Sequence, residues 1–257
     1  MKNSLDSRLP DLPEDTTSQQ LGQAIARWLF EISCLPELSN FRTTLQLPHL
    51  TRKLYGKVLK AHQRYLQYKL NQLRKHGREP TCKRGCAFCC QFMPSGISAL
   101  EVIFLYDEMH QQKHFSRTFR RFLERQEVIE EISADYRKRE QSPVQKGRSV
   151  SEEILLEYRQ KRIPCPLLTT DGVCLLYSVR PFVCREYFSC SPPSWCDPSH
   201  PHYSQALRIA IPLPEDCQSM LDKIDQLLGL NLPETLSEAF LVFTINVARF
   251  KPIVWNC

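Results

Sequence analysis

"HLTRKLYGKVLKAHQRYLQYKLNQLRKH", residues 49–76, decides the class of fold. On a wheel of about 100° per residue, Leu50, Leu54, Tyr55, Val58, Leu59, Ala61, Tyr65, Leu66, Leu70 and Leu73 cover a little over half the circumference. Arg52, Lys53, Lys57, Lys60, Arg64, Arg74 and Lys75 take the rest. A face that wide is packed against other elements, with one basic ridge left to solvent. Gly77 and Pro80 stop the helix.

Working outward, the same periodicity recurs on both sides. Leu21, Ala24, Ile25, Trp28, Leu29 and Ile32 mark an earlier helix that Pro36 ends. Ser98 with Glu101 reads as a capping box opening a helix to about Gln111. Phe115, Phe119, Phe122, Ile129, Ile132 and Tyr136 carry another over about 114–140. After the polar linker "QSPVQKGRS" (141–149), Ser151 with Glu152 and Glu153 starts a short helix to about Arg162. "ALRIAIPL" (206–213) reads as a short strand, and helices over about 214–229 and 234–249 close the chain. Only 8 glycines in 257 residues argues against a barrel or sandwich. The expected fold is therefore mainly α, an irregular helical bundle around a cysteine-rich metal-binding core formed by two distant loops. Four stretches are expected. They are a flexible tail (1–17), N-terminal helices including the basic one (18–80), a cysteine-cluster domain with a helical insert (81–190), and a C-terminal loop and helices on the same core (191–257).

The opening "MKNSLDSRLPDLPEDTTSQQ" has no basic segment followed by an apolar one, so no secretory signal is expected. The most apolar stretch, "AFLVFTINVARF" (239–250), is broken by Asn246 and Arg249 and is shorter than the ~20 residues of a spanning helix. A cytoplasmic location follows as the expectation. In a reducing compartment the 12 cysteines are better read as ligands than as disulfides. "CKRGCAFCC" (82–90) is one arm, C-x3-C-x2-C-C, with Cys82, Cys86, Cys89 and Cys90. Cys165, Cys174 and Cys184 form the second, C-x8-C-x9-C. Thiolates are soft donors that suit iron–sulfur clusters or Zn²⁺, and short spacing gathers several at low entropic cost. Seven exceed what one tetrahedral Zn²⁺ uses, which favours a cluster, most simply [4Fe–4S]. Lys83, Arg84, Arg180 and Arg185 lie beside the cysteines and can offset their charge. Cys34, Cys217 and Cys257 read as small buried hydrophobes. Cys190 and Cys196, with Asp197, His200 and His202, are candidates for extra ligands, against the plainer reading of a Pro-rich surface loop.

These residues carry a resemblance. "CKRGCAFCC" followed by "CPLLTTDGVCLLYSVRPFVCR" resembles the YkgJ-type cysteine cluster family, a zinc- or iron-chelating domain. The matching parts are the C-x3-C-x2-C-C run, Cys165-Pro166-Leu167-Leu168, the Asp171-Gly172 turn, Cys174, Tyr177, and Arg180-Pro181 through Cys184-Arg185. The match covers about 82–190, less than half of the chain. It implies metal binding through the seven cysteines, with Arg180, Arg185 and Tyr177 around them. The cluster is also similar to that of the flagellin lysine methylases, which implies S-adenosylmethionine as a candidate cofactor. Cys82, Cys86, Phe88 and Cys89 further match the C-x3-C-x-aromatic-C of radical S-adenosylmethionine enzymes. Those need a β/α barrel, and no alternation of strands and helices is visible here.

No glycine pair is spaced for a dinucleotide or phosphate loop, and H-E-x-x-H and G-x-S-x-G are absent. No residue stands out as catalytic. His62, on the apolar side of the long helix, reads as a satisfied core histidine, and Tyr55, Tyr65 and Tyr68 as core. Two function classes stay open. One is a metal-centred enzyme, such as an S-adenosylmethionine-dependent protein or RNA modifier or a redox enzyme. The other is a zinc-stabilised interaction module that binds nucleic acid or an acidic protein through Arg52, Lys53, Lys57, Lys60 and Arg64. Residues 41–85 sum to +11 while the remainder sums to −5. The bland alternative lays that ridge against acidic helices such as "LERQEVIEEISADY" of the same chain.

Overall fold

A computed structural model describes residues 14–138 and 149–256. The chain is mainly helical. Among the described residues the α-helices are α1 (Thr16–Ser33), α2 (Phe41–Thr44), α3 (His49–Lys75), α4 (Ala99–His110), α5 (Phe115–Lys138), α6 (Val150–Gln160), α7 (Val183–Glu186), α8 (Glu215–Leu227) and α9 (Leu236–Val242). Among the described residues four three-residue strands make two small sheets. Strand β1 (Gln46–Pro48) runs parallel to β4 (Val254–Asn256), with Leu47 opposite Trp255. Strands β2 (Tyr187–Ser189) and β3 (Arg208–Ala210) are antiparallel, with Phe188 opposite Ile209.

The centre of the bundle is α4. Its residues from Ala99 to Asp107 are all buried, as a helix apolar on every side must be. Its start is fixed twice. Ser98 and Glu101 form the expected capping box. Asp225 of α8 accepts from Ala99 N–H (2.8 Å) and Leu100 N–H (3.2 Å), which satisfies donors a helix leaves orphaned at its first turn. Burial pushes the Asp225 carboxyl up to about 7. A surface cleft of about 470 Å³ opens beside this cap, lined by Ile97, Asp222, Asp225 and Leu230, and none of the cysteines reaches it. Helix α1 packs on α3 and α8, α9 packs on α4 and α5, and one buried cluster runs from Ile25 to Ile253. Gly22 permits the α1–α8 approach, since a Cβ there would stand 3.1 Å from Pro214.

Several expectations shift. Residues 14–17 are not loose tail. Asp15 caps α1 with Ser18, Glu14 pairs with the buried Lys69, and Tyr68 donates to Asp15. The preceding tail and residues 139–148, which hold the end of the expected helix and all of the linker but Ser149, lie outside the described residues. Helix α6 starts from Ser149, not Ser151, because Ser149 stands three before Glu152 and completes the box. The final helix leaves α geometry at Phe243 for a π turn through Ala248, with the Thr244 hydroxyl donating to the Phe240 carbonyl (2.7 Å). Cys34 is exposed at the end of α1 and not a core residue, whereas Cys217 is buried; Cys257 lies outside the described residues. Among the described residues no helix is long and apolar enough to cross a membrane.

Candidate metal centre

The two cysteine arms meet. The first leaves α3 through Gly77 and runs as loop and 3-10 turn (Phe88–Gln91) to α4. Three ties hold it to the second. At its start, Thr81 N–H donates to Ser189 O (2.7 Å) and the Thr81 hydroxyl to Ser191 O (2.5 Å). In the middle, Gly85 faces Gly172, where a Cβ would come 3.2 Å from Gly85 O. Both glycines have positive φ, +88° and +72°, so the turn needs them for conformation as well as for space. At its end, Cys165 N–H donates to Cys90 O (2.6 Å). Tyr177 adds a side-chain bridge, with the Arg84 guanidinium 5.5 Å and the Arg180 guanidinium 4.3 Å from its ring.

The second arm is a tight turn. Leu175 N–H donates to Leu167 O (2.7 Å) and Thr169 N–H to Val173 O (2.8 Å), placing Cys165 and Cys174 on paired limbs. Helix α5 clamps it from behind. Arg121 donates to Leu168 O (2.8 Å) and Arg125 to Pro164 O (3.0 Å). The acid-rich look of α5 concealed this, because its arginines do the holding. Cys184 sits on α7, and Arg185 beside it donates to Arg180 O (2.8 Å) and Ser178 O (2.6 Å).

Four of the seven sulfurs have a backbone N–H beside them, and for Cys82 it is a hydrogen bond. Ser189 N–H reaches the Cys82 sulfur at 3.2 Å. The N–H groups of Phe88, Leu167 and Leu176, each two residues ahead, stand near enough to Cys86, Cys165 and Cys174 to draw their pKa values down. Such donors favour the thiolate. The thiols also act on one another. Cys82 and Cys86 share a hydrogen bond that draws Cys86 below the usual thiol range and drives Cys82 above it. A hydrogen bond with Cys90, together with burial, pushes Cys89 well up. Burial takes Cys165 up to about 12 and Cys184 well up, and Cys184 further feels Cys165, Cys89 and Cys174. For Cys174, burial raises the thiol while the Leu176 N–H, Arg180 and Arg185 oppose it.

The thiols are not gathered into a closed site. Among the described residues no three His, Cys, Asp or Glu side chains stand together as a metal site. What the fold brings together is the backbone of the two arms and the thiols in neighbouring pairs.

Cys196 divides from its expected companions. Its 3-10 turn (Pro193–Cys196) packs on the turn carrying Cys89 and Cys90, and its thiol faces Cys86 and Cys89. Cys190 instead faces Arg78 and Glu79. Asp197 caps Ser199 and pairs with Arg162, and His202 contacts Gln205. His200 and His202 stand together beside Trp195, and among the described residues these side chains do not form a metal-holding group of three.

Under the arms lies a buried polar layer. The Glu101 carboxylate accepts from Ser98 N–H (2.8 Å) and, across the chain, from Phe182 N–H (2.6 Å). His62 is fully buried, edge-on to Phe182 at 4.9 Å, and neither ring nitrogen has a hydrogen-bond partner. A core histidine it is, but not a satisfied one. Burial, with Arg185 and Arg180 nearby, depresses its pKa from 6.5 to about 3. The unfolded chain takes up that proton below about 6.5, so stability falls as pH drops from there towards 3. Between pH 7 and pH 5 the protein should lose about 2 kcal/mol relative to His62→Leu, in urea unfolding curves of both. Parallel curves at the two pH values would mean that His62 is charged or solvated in the fold.

The basic ridge is not laid against α5. Arg52 pairs with Asp107 of α4 and stacks on Trp255, and Lys57 lies 4.1 Å over Trp28. Lys53, Lys57, Lys60 and Arg64 are exposed along one line of α3. Tyr55 and Tyr65 are core as expected, whereas Tyr68 is only part-buried, with its hydroxyl on Asp15. Compared with known proteins, the chain matches no family model, no curated protein and no solved structure.

Proposed function

We propose that this is a metal-binding protein whose centre is held by the thiolates of Cys82, Cys86, Cys89, Cys90, Cys165, Cys174 and Cys184, as its resemblance to the YkgJ-type cysteine cluster implies. The observation that carries the reading is the set of backbone N–H groups beside four of these sulfurs, in arms tied to each other at three points. Protein thiols have little use for such donors unless they are ionised, and buried thiolates need a cation. The donor set is all sulfur, which selects an iron–sulfur cluster or Zn²⁺. Its number favours the cluster. Closing the site requires rotation of thiols on a backbone that is already tied. An iron–sulfur cluster, when bound, supplies one-electron exchange; Arg180 and Arg185 offset its thiolate charge, and Tyr177 holds Arg84 and Arg180 across the arms.

A second reading, a zinc-stabilised interaction module, is favoured by the exposed line of Lys53, Lys57, Lys60 and Arg64, which suits a polyanionic partner. One measurement separates the two: metal and acid-labile sulfide in anaerobically purified protein, with its visible spectrum. About four irons with equal sulfide and a brown colour are expected. One or two zincs without colour would transfer the weight to the interaction module. Protein that folds with no metal at all would sink both.

A further inference from the structure

The strongest unexplained group outside the thiols is Arg159. It lies near the end of α6 and is only 7% exposed. Its guanidinium is 3.8 Å from the Phe92 ring and 4.7 Å from the Tyr203 ring. No carboxylate among the described residues pairs with it. Its Nε and Nη2 atoms are buried and have no hydrogen-bond partner. Those two nitrogens form one edge of the guanidinium, with parallel N–H groups. That edge takes two oxygens of a carboxylate or phosphate side by side. The Arg208 guanidinium lies 4.2 Å from the same Tyr203 ring and so brings a second positive charge to the place. Burial first, and Arg208 next, lower the Arg159 pKa to about 10, the direction expected of a cation lacking a counter-ion.

We infer that Arg159, between Phe92 and Tyr203 and beside Arg208, is a binding site for a small ligand bearing a carboxylate or a phosphate. The rings bind the guanidinium and leave its fork without a partner; the fork is covered, so an anion reaches it only as the side chains over it move aside. Location adds meaning. Phe92 follows Cys90 by two residues, and Tyr203 follows the Cys196 turn, so a ligand held by Arg159 lies at the margin of the cysteine arms. The inference does not rest on the metal reading, because no cysteine donates to the anion.

The test is a titration of the full chain labelled with ¹⁵N-arginine, following the Arg159 Nε–H resonance. Inorganic phosphate, acetate and sodium chloride are added separately at equal ionic strength. A saturable shift with phosphate or acetate and none with chloride is expected. Phosphate alone, acetate alone, or both would assign the ligand class. Arg159→Lys keeps the charge and loses the fork; there the same additions are followed on the Arg208 Nε–H resonance, which reports in both proteins, and binding should weaken at least tenfold. No saturable movement with either oxyanion, an equal response to chloride, or unchanged binding in Arg159→Lys would overturn the site. Wild-type measurements need no variant to fold. If metal analysis fails and the shift remains, the metal reading falls and this one stands.

Discussion

Cys86→Ala protein should come from an anaerobic preparation without stoichiometric metal, while Cys34→Ala protein keeps it. Cys86 is the centre of the first arm. It shares a hydrogen bond with Cys82, has the Phe88 N–H beside it, and faces Cys89 and Cys196. Its alanine variant removes one donor and the favourable partner of a second. Cys34 caps α1, is exposed, and belongs to neither arm. It therefore controls for loss of any one thiol. Binding free energy at such sites is also folding free energy, of order 10 kcal/mol for structural metal. Loss of metal in Cys86→Ala should thus expose the arms to proteolysis at "CKRGCAFCC" before the helices unfold. Equal metal in the two variants would overturn the ligand assignment.

Glu101→Ala should cost about 3–5 kcal/mol in urea unfolding, the range for breaking a buried charged hydrogen-bond set from one side. Glu101 is 2% exposed in the middle of the bundle. Its carboxylate serves Ser98 at the start of α4 and Phe182 at the entry to α7, so one side chain ties the central helix to the second arm. Removing it orphans two buried N–H groups. Burial raises its pKa, while those same N–H groups and Arg185 oppose the rise. Glu101→Gln should fall between the two proteins, because an amide keeps one acceptor but turns its NH₂ towards the remaining donor. A cost under about 1 kcal/mol for the alanine variant would mean that water replaces the carboxylate, which the burial of this site argues against.

Much of the fold was legible because it depends on local chemistry. The 3.6-residue periodicity of α1, α3 and α5, the Ser98–Glu101 box, and the Asp171-Gly172 turn need only neighbours within a few residues. Errors came where two local signals competed or where a distant partner decided. Ser149 and Ser151 both precede acids, and only the three-residue spacing to Glu152 closes a box. Residues 14–17 looked like tail, but Glu14 and Asp15 are held by Lys69, Tyr68 and Gln72, more than fifty residues on. No local pattern separates Cys196 from Cys190, and packing of one 3-10 turn on another does. His62 shows the limit most plainly. Its helical phase told that it would be buried, but the count of hydrogen-bond partners inside that core is a property of the segments that arrive there.

By itself, then, the sequence determined the helical class and the spacing of the two cysteine arms, since residue type and position along the chain suffice for each. Tertiary structure alone decided that the arms touch through Gly85 and Gly172, that Arg121 and Arg125 clamp the second arm, and that Arg159 lies buried with its fork unpaired. Those facts join segments between about 40 and 90 residues apart. The free energy that selects such contacts comes from burying one shared core, to which every helix contributes and which no single segment encodes.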